Sequence, residues 1–215
     1  MKTVRVYLSP SNQEHNAGVS GYGTEENQMH SLAHIVAKKL EKYGGRFTTR
    51  ISNPDAEMGT VCAESNAFKA DAHICIHTNA AGSSAQGTVA FYGSDVGKRL
   101  TKRIYARVSP VSPGTDKGVQ AWPGLYEIHN THAPVAYLEL FFHSNKEEVE
   151  DYLKGAKEEY AEAIVRGLCD FFQVDYKTVT AFNRRDMRRT IQKAPVADLR
   201  WMVETATKEL QSRQV

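Results

Sequence analysis

Apolar residues along the chain alternate between the spacing of strands and the spacing of helices. Residues 4–8 alternate apolar and polar positions, which predicts a first strand that ends at Ser9-Pro10. From Glu25 onward apolar residues recur every three or four positions until Gly44-Gly45, which predicts a first helix capped by Thr24. The same reasoning predicts strands at residues 46–51, 73–76, 88–92, 125–128 and 135–140, helices at 54–69, 95–108 and 146–172, and a loop-rich stretch at 109–124.

Strands that alternate with helices predict an α/β fold with a mostly parallel central sheet flanked by helices. After Gln173 the composition changes to a basic run at residues 183–189, followed by an amphipathic helix that begins at Pro195. We therefore expect a main domain over residues 1–175 and a small helical C-terminal region over residues 176–215. This helix suits packing on the main domain, wall binding or a homodimer, and we favour packing or self-association.

Composition narrows the class of protein. Hydrophobic residues make up 41% of the 215 residues and charged residues 24%, which predicts a folded globular chain and argues against disorder. The formal net charge of +2 is too small to predict nucleic-acid binding. The four arginines between residues 184 and 189 suggest a DNA-associated protein at most weakly, and a solvated helix face is the preferred interpretation.

The N-terminus and the cysteines bear on the compartment. The apolar run before Ser9 is too short for a signal peptide, and no stretch of the sequence is long and apolar enough to span a bilayer. Cys62, Cys75 and Cys169 lack CxxC spacing, so we expect buried thiols and neither a disulfide framework nor a thiolate metal site. The sequence thus predicts synthesis in the cytoplasm without an export signal.

Three polar residues occupy positions that suggest chemistry. His77 follows a buried strand, Glu25 opens the first helix after a long polar loop, and Glu139 lies within a strongly apolar strand. Each has a structural alternative: a helix N-terminus favours any carboxylate, a loop histidine can bond to backbone, and a strand-end glutamate can face solvent. Zinc hydrolases use about three such ligands and a further carboxylate that moves the proton.

Two motifs carry a resemblance to a known family. Ile76-His77-Thr78-Asn79 is similar to an S-x-H-x-N element, with Ile76 before the histidine where a small residue is usual. The stretch from Pro134 to Asn145 is similar to a P-x-x-L-x-E-x-G-F-x-S-N element, with Phe141 in place of the glycine and Leu138 one position after the leucine of the element. In this order, and over residues 3 to about 173, the chain resembles the zinc-dependent N-acetylmuramoyl-L-alanine amidases of the amidase-3 type.

This resemblance implies a zinc ion (Zn²⁺) bound by Glu25 and His77. The family usually supplies a first histidine ligand in a turn directly after strand one, where this chain has Ser11. His15, four residues later in the same loop, is the expected replacement. Gln13 stays open as the alternative, although an amide oxygen is a poor zinc ligand beside imidazole.

The resemblance also implies the substrate and the reaction. Peptidoglycan would be cleaved at the amide bond between N-acetylmuramic acid and L-alanine of the stem peptide, with Glu139 as the general base and acid. Asn79, His132 and His143 are our candidates for substrate contact. Without an export signal, the protein would reach the cell wall after holin-mediated or other lytic release, which fits a phage endolysin or a sporulation autolysin.

Two alternatives stay open from the sequence. Ser11 at the expected ligand position is compatible with a non-catalytic wall-binding module whose metal site is degenerate. His30 and His34 stand four residues apart in the first helix, a spacing that can chelate zinc, but they lack the adjacent glutamate of the H-E-x-x-H motif. We therefore interpret these two histidines as a surface pair.

Overall fold

Alternating strands and helices build an α/β unit over residues 3–176, the part of the chain that this computed structural model describes. The strands are β1 Val4–Pro10, β2 Phe47–Ile51, β3 Ala72–Asn79, β4 Thr88–Tyr92, β5 Asp116–Ala121 and β6 Val135–Phe142. The helices are α1 Glu25–Glu41, α2 Met58–Phe68, α3 Asp95–Val108, α4 Tyr126–Asn130, α5 Lys146–Asp151 and α6 Lys157–Phe172, with a π-helical turn at Tyr152–Ala156 between the last two.

All six strands form one sheet in the order β2-β1-β3-β6-β4-β5. The first four strands in this order are parallel, whereas β4 is antiparallel to β6 and parallel to β5. The carboxyl ends of β1, β3 and β6 therefore meet along one side of the sheet, which we call the carboxyl edge. Open parallel sheets place their sites at this edge.

The two faces of the sheet differ in character. Apolar side chains of one face, such as Ile74, Ile76 and Leu138, belong to the core that also includes residues of α1, α3 and α6. Because side chains alternate along a strand, His73 and His77 of β3 lie on the second face. There His73 bonds to residues of α2 and α4, so this second face carries polar groups under two short helices.

Sequence and structure agree on the α/β class, and they differ locally in two places. The strand β5 forms inside the predicted loop at residues 109–124. It is a polar edge strand with no buried residue, so its sequence shows no alternation of apolar and polar positions that would predict it. The strand predicted at residues 125–128 is wrong, because Tyr126–Asn130 is a helix. Leu125 and Ile128 are three residues apart, a spacing that one helical turn also produces, and a short apolar run cannot separate the two.

Two further expectations concern the C-terminal region and membrane-spanning helices. The predicted C-terminal region at residues 176–215, its helix and its role in a homodimer lie outside the described residues, apart from Tyr176. Over residues 3–176 no helix combines the length and the apolar character needed to cross a membrane.

The packing of α6 on α3 predicts a sensitive glycine. A Cβ atom at Gly167 would lie 2.4 Å from the Cα of Ile104, so the helix backbones would have to separate. We expect Gly167→Ala to lower the free energy of unfolding by about 1–3 kcal/mol through overpacking. Urea unfolding of the variant measures this loss. Gly82→Ala is the matched control, since open space surrounds Gly82; equal stability of the two variants would contradict the close approach.

Candidate active site

The carboxyl edge brings together three of the residues that the sequence singled out. His77 of β3 and Glu139 of β6 are direct neighbours in the parallel register of these strands. Glu25, the first residue of α1, places its Oε1 atom 3.2 Å from Nδ1 of His77. Glu25 is fully buried and His77 is nearly so, so this ion pair is largely removed from water.

The carboxylate of Glu25 is held at both oxygens. The backbone N–H of Thr78 donates to Oε1 at 3.0 Å, and the side-chain amide of Asn16 donates to Oε2 at 2.7 Å. Burial alone would raise the pKa of Glu25, but the hydrogen bond and charge of His77, with these two donors, bring it below its ordinary value. Glu25 is therefore an ionised carboxylate in a buried position.

The pKa of His77 shifts in the opposite direction from that of Glu25. Burial favours the neutral imidazole, but the hydrogen bond to Glu25 and the negative charges of Glu139, Glu25 and Glu127 raise the pKa of His77 above its ordinary value. The ring also stacks on Tyr137, with 4.6 Å between the centroids. The imidazole is thus fixed between a carboxylate and an aromatic ring.

Glu139 differs from Glu25 in its hydrogen bonding. Its Oε2 atom is buried and has no hydrogen-bond partner within residues 3–176. Burial raises the pKa of Glu139 to about 7, with His77 opposing the rise and Glu25 adding to it. A carboxyl group with a pKa near neutrality can accept and return a proton at physiological pH.

The loop after β1 contributes Asn16 to the site and leaves His15 at the surface. The side chain of His15 is 93% exposed, and its Nε2 atom lies 3.1 Å from a carboxylate oxygen of Glu14. Gln13 is also exposed, and its Oε1 atom accepts a hydrogen bond from the Asn16 amide. The structure does not assemble His15 with Glu25 and His77, although His15 adjoins the residue that bonds to Glu25.

The three candidates for substrate contact lie in different places. Asn79 ends β3, and its side chain accepts a hydrogen bond from the N–H of Ala80. His143 is buried and bonds through Nδ1 to the hydroxyl of Thr78, so it supports the strand that carries His77. His132 lines a small cavity near Arg5, at the amino-terminal side of the sheet, and is not brought to the carboxyl edge.

The rival histidine pair lies on α1. The Nε2 atom of His30 is buried without a hydrogen-bond partner among the described residues, and His34 is exposed. Burial and the charge of His34 lower the pKa of His30. No acidic or thiol side chain of residues 3–176 joins these two rings in a metal-type cluster.

A second polar cluster under the sheet escaped sequence analysis. Glu127 of α4 accepts a hydrogen bond from the hydroxyl of Ser9 at 2.6 Å and pairs with Nε2 of His73 at 2.8 Å. The ligand-type atoms of His73, Cys75 and Glu127 lie within 4.8 Å of one another. Because both nitrogens of His73 already bond, to Ser65 and Glu127, we interpret the cluster as a buried hydrogen-bonded support. The alternation of residues 73, 75 and 77 was the signal that could have revealed it.

Comparison with known proteins adds a family and a fold. The sequence profile of the N-acetylmuramoyl-L-alanine amidase family matches residues 6–170. A comparison with curated proteins returns no match.

Solved structures share this fold at low sequence identity. The catalytic domain of CwlV, an N-acetylmuramoyl-L-alanine amidase from Bacillus (Paenibacillus) polymyxa var. colistinus, is 20% identical with a TM-score of 0.74, over 80% of this chain and 100% of that one. An N-acetylmuramoyl-L-alanine amidase from Clostridium difficile 630 is 19% identical with a TM-score of 0.69, over 82% and 100%. The catalytic domain of the CD27L endolysin targeting Clostridia difficile is 22% identical with a TM-score of 0.66, over 78% and 97%.

The Glu127 cluster leads to a prediction about stability and pH. Burial raises the pKa of Glu127, but the bond and charge of His73 outweigh it, so the folded-state pKa lies below the ordinary value. Its stabilising effect is therefore present above the unfolded pKa and is lost as the pH falls through the folded pKa. We expect Glu127→Gln to lower the free energy of unfolding by about 2 kcal/mol at neutral pH, and by less below about pH 4.

Urea unfolding at several pH values measures this effect. Glu41→Gln, which changes an exposed carboxylate at the end of α1, serves as the control and should match the wild type. A stability loss for Glu127→Gln that stays constant from neutral to acid pH would contradict the charge-based account.

Proposed function

Because the chain belongs to the N-acetylmuramoyl-L-alanine amidase family, we propose that it hydrolyses the amide bond between N-acetylmuramic acid and L-alanine of the peptidoglycan stem peptide. The observation that carries this proposal is the buried Oε2 atom of Glu139, which has no hydrogen-bond partner in the described part of the chain and lies beside the ion pair of Glu25 and His77. An unpaired buried carboxyl oxygen is costly for folding, so a catalytic use explains its presence.

The side chains around Glu139 fit a zinc ion. Imidazole and carboxylate are donors that zinc favours, and Glu25 and His77 present both within 3.2 Å of each other. We propose His15 as the third ligand, because its exposed ring can turn inward and it adjoins Asn16, which bonds to Glu25. Gln13 is the alternative. Bound there, zinc would polarise the amide carbonyl and increase the acidity of water.

The residues of this chain would share the remaining work. Glu139, with a pKa of about 7, accepts the proton of the attacking water and returns it to the departing amine of L-alanine. Asn16 and Thr78 hold the Glu25 carboxylate in place, and the stacked ring of Tyr137 fixes the plane of His77. The catalytic domain would comprise residues 1–175. Because peptidoglycan is the proposed substrate, the protein would act on the cell wall.

One observation favours a second candidate. The side chain of His15 is exposed, so only Glu25 and His77 of the three proposed ligands lie together. The same arrangement is expected of a wall-binding module with a degenerate metal site. Such a module would bind purified peptidoglycan without releasing stem peptides. The two candidates therefore differ in metal content and in turnover.

Replacement of Glu139 tests the mechanism. We expect Glu139→Gln to reduce the release of stem peptides from purified peptidoglycan by at least about 100-fold, because the amide cannot accept the proton of water. Mass spectrometry of the soluble products measures this release. The zinc content of Glu139→Gln should stay at the wild-type value. Glu147→Gln, which changes an exposed glutamate, is the control and should keep full activity. Normal turnover by Glu139→Gln would overturn the assigned role.

Metal analysis tests the ligands. We expect His77→Ala and His15→Ala to lose most of the bound zinc, whereas Gln13→Ala retains it, since imidazole is the better zinc ligand. Inductively coupled plasma mass spectrometry gives the zinc per chain, and His34→Ala on α1 is the control. Loss of zinc in Gln13→Ala with retention in His15→Ala would reverse the assignment. A zinc-free, inactive wild type would favour the wall-binding module.

A further inference from the structure

A row of aromatic rings leads away from the proposed catalytic residues across the second face of the sheet. His77 stacks on Tyr137 at 4.6 Å between centroids, Tyr137 lies 6.3 Å from Phe91, and Phe91 meets Trp122 edge-on at 5.1 Å. The row thus connects the centre of the site to Trp122, which follows β5. We call Tyr137, Phe91 and Trp122 the aromatic row.

Strand register places this row on the same face as Glu139. In the antiparallel pairing of β4 with β6, Val89 is opposite Glu139 and Phe91 is opposite Tyr137. Ala90, between them in sequence, belongs to the core on the other face. Phe91 and Glu139 therefore share one surface, and a ligand lying along the row can reach the catalytic carboxylate.

The aromatic row is open to solvent where it is furthest from His77. Phe91 and Tyr137 are partly exposed, and Trp122 is 51% exposed. Large apolar surface in water is unfavourable, and exposed aromatic groups next to a site commonly mark contact with a ligand. The edge-on contact with Phe91 holds the indole while leaving much of its surface free.

We propose that Trp122 and Phe91 form a sugar-binding subsite for the glycan strand of peptidoglycan, a proposal that rests on the proposed function. A pyranose ring carries C–H groups on its faces and can lay them on an indole while its hydroxyl groups stay in water. Its neighbour along the strand would then present the lactyl amide to Glu139.

The character of nearby side chains favours sugar over peptide. Gln120 is opposite Phe91 in the register of β4 and β5, so its side chain lies on the same side of the sheet as the aromatic row, where its amide donates to the carbonyl of Lys117. Gln120, Phe91 and Trp122 are all uncharged, which suits neutral N-acetylated sugar rings. A stem peptide carries carboxylate and amino groups that call for charged partners. The structure therefore assigns the glycan, and not the peptide, to this subsite.

Fluorescence of Trp122 tests the subsite without relying on turnover. The chain has two tryptophans, so Trp201→Phe leaves Trp122 as the single indole. In this full-length variant we expect tri-N-acetylchitotriose to shift the emission to shorter wavelength in a saturable way, because the sugar removes water from the indole. Maltotriose is the control sugar. No shift with tri-N-acetylchitotriose, or an equal shift with a free stem tetrapeptide, would overturn the proposal.

Kinetics provide an independent test. We expect Trp122→Ala to lose about tenfold more kcat/KM on a disaccharide-peptide substrate than on a muramoyl dipeptide that lacks the neighbouring sugar. The excess loss should appear in KM, and Trp122→Phe should recover part of it. Leu153→Ala, which removes an exposed apolar side chain between α5 and α6, is the control and should match the wild type on both substrates.

The outcomes separate the subsite from the proposed function. Equal losses on both substrates would show that Trp122 supports the fold of the site, and the subsite would be rejected. A wild-type protein that cleaves neither substrate would reject the proposed function. In that case the fluorescence titration still decides whether Trp122 binds sugar.

Discussion

The buried ion pair between Glu25 and His77 is the contact on which the rest of the site depends. It joins the first residue of α1 to β3, and Asn16 and the N–H of Thr78 complete the bonding of the carboxylate. Burying two charges is costly, and removing one partner would leave the other uncompensated. The pair therefore fixes where α1 begins relative to the sheet, and it places a carboxylate and an imidazole side by side at the carboxyl edge.

Two glutamates at the same edge have opposite properties because their surroundings differ. Glu25 accepts hydrogen bonds at both oxygens and has a lowered pKa. One oxygen of Glu139 has no hydrogen-bond partner among residues 3–176, and the pKa of Glu139 is about 7. In the proposed mechanism, these separated pKa values would let Glu25 stay ionised while Glu139 carries the proton. The antiparallel β4 adds Phe91 beside Tyr137 on the face that carries Glu139, and with Trp122 it extends this surface toward solvent.

Local patterns predicted most of the fold, since apolar periodicity is a property of neighbouring residues. The bounds of β4 and α3 agree with the sequence-based ranges. The helix at Tyr126–Asn130 was missed because its short apolar run fits a strand equally well. Its place under the sheet depends on Glu127, which bonds to Ser9 and His73 far away in sequence. The polar edge strand β5 carried no apolar signal at all.

The sequence by itself determined the α/β class, the resemblance to a family of amidases and the candidates Glu25, His77 and Glu139, because motif spacing and strand patterns are local. Only the tertiary structure decided that these three meet, since their contacts join residues more than fifty positions apart and depend on strand order. It also decided the solvent exposure of His15 and Trp122. The burial and the pKa of a side chain depend on the residues that surround it in the fold, so its position in the sequence does not reveal them.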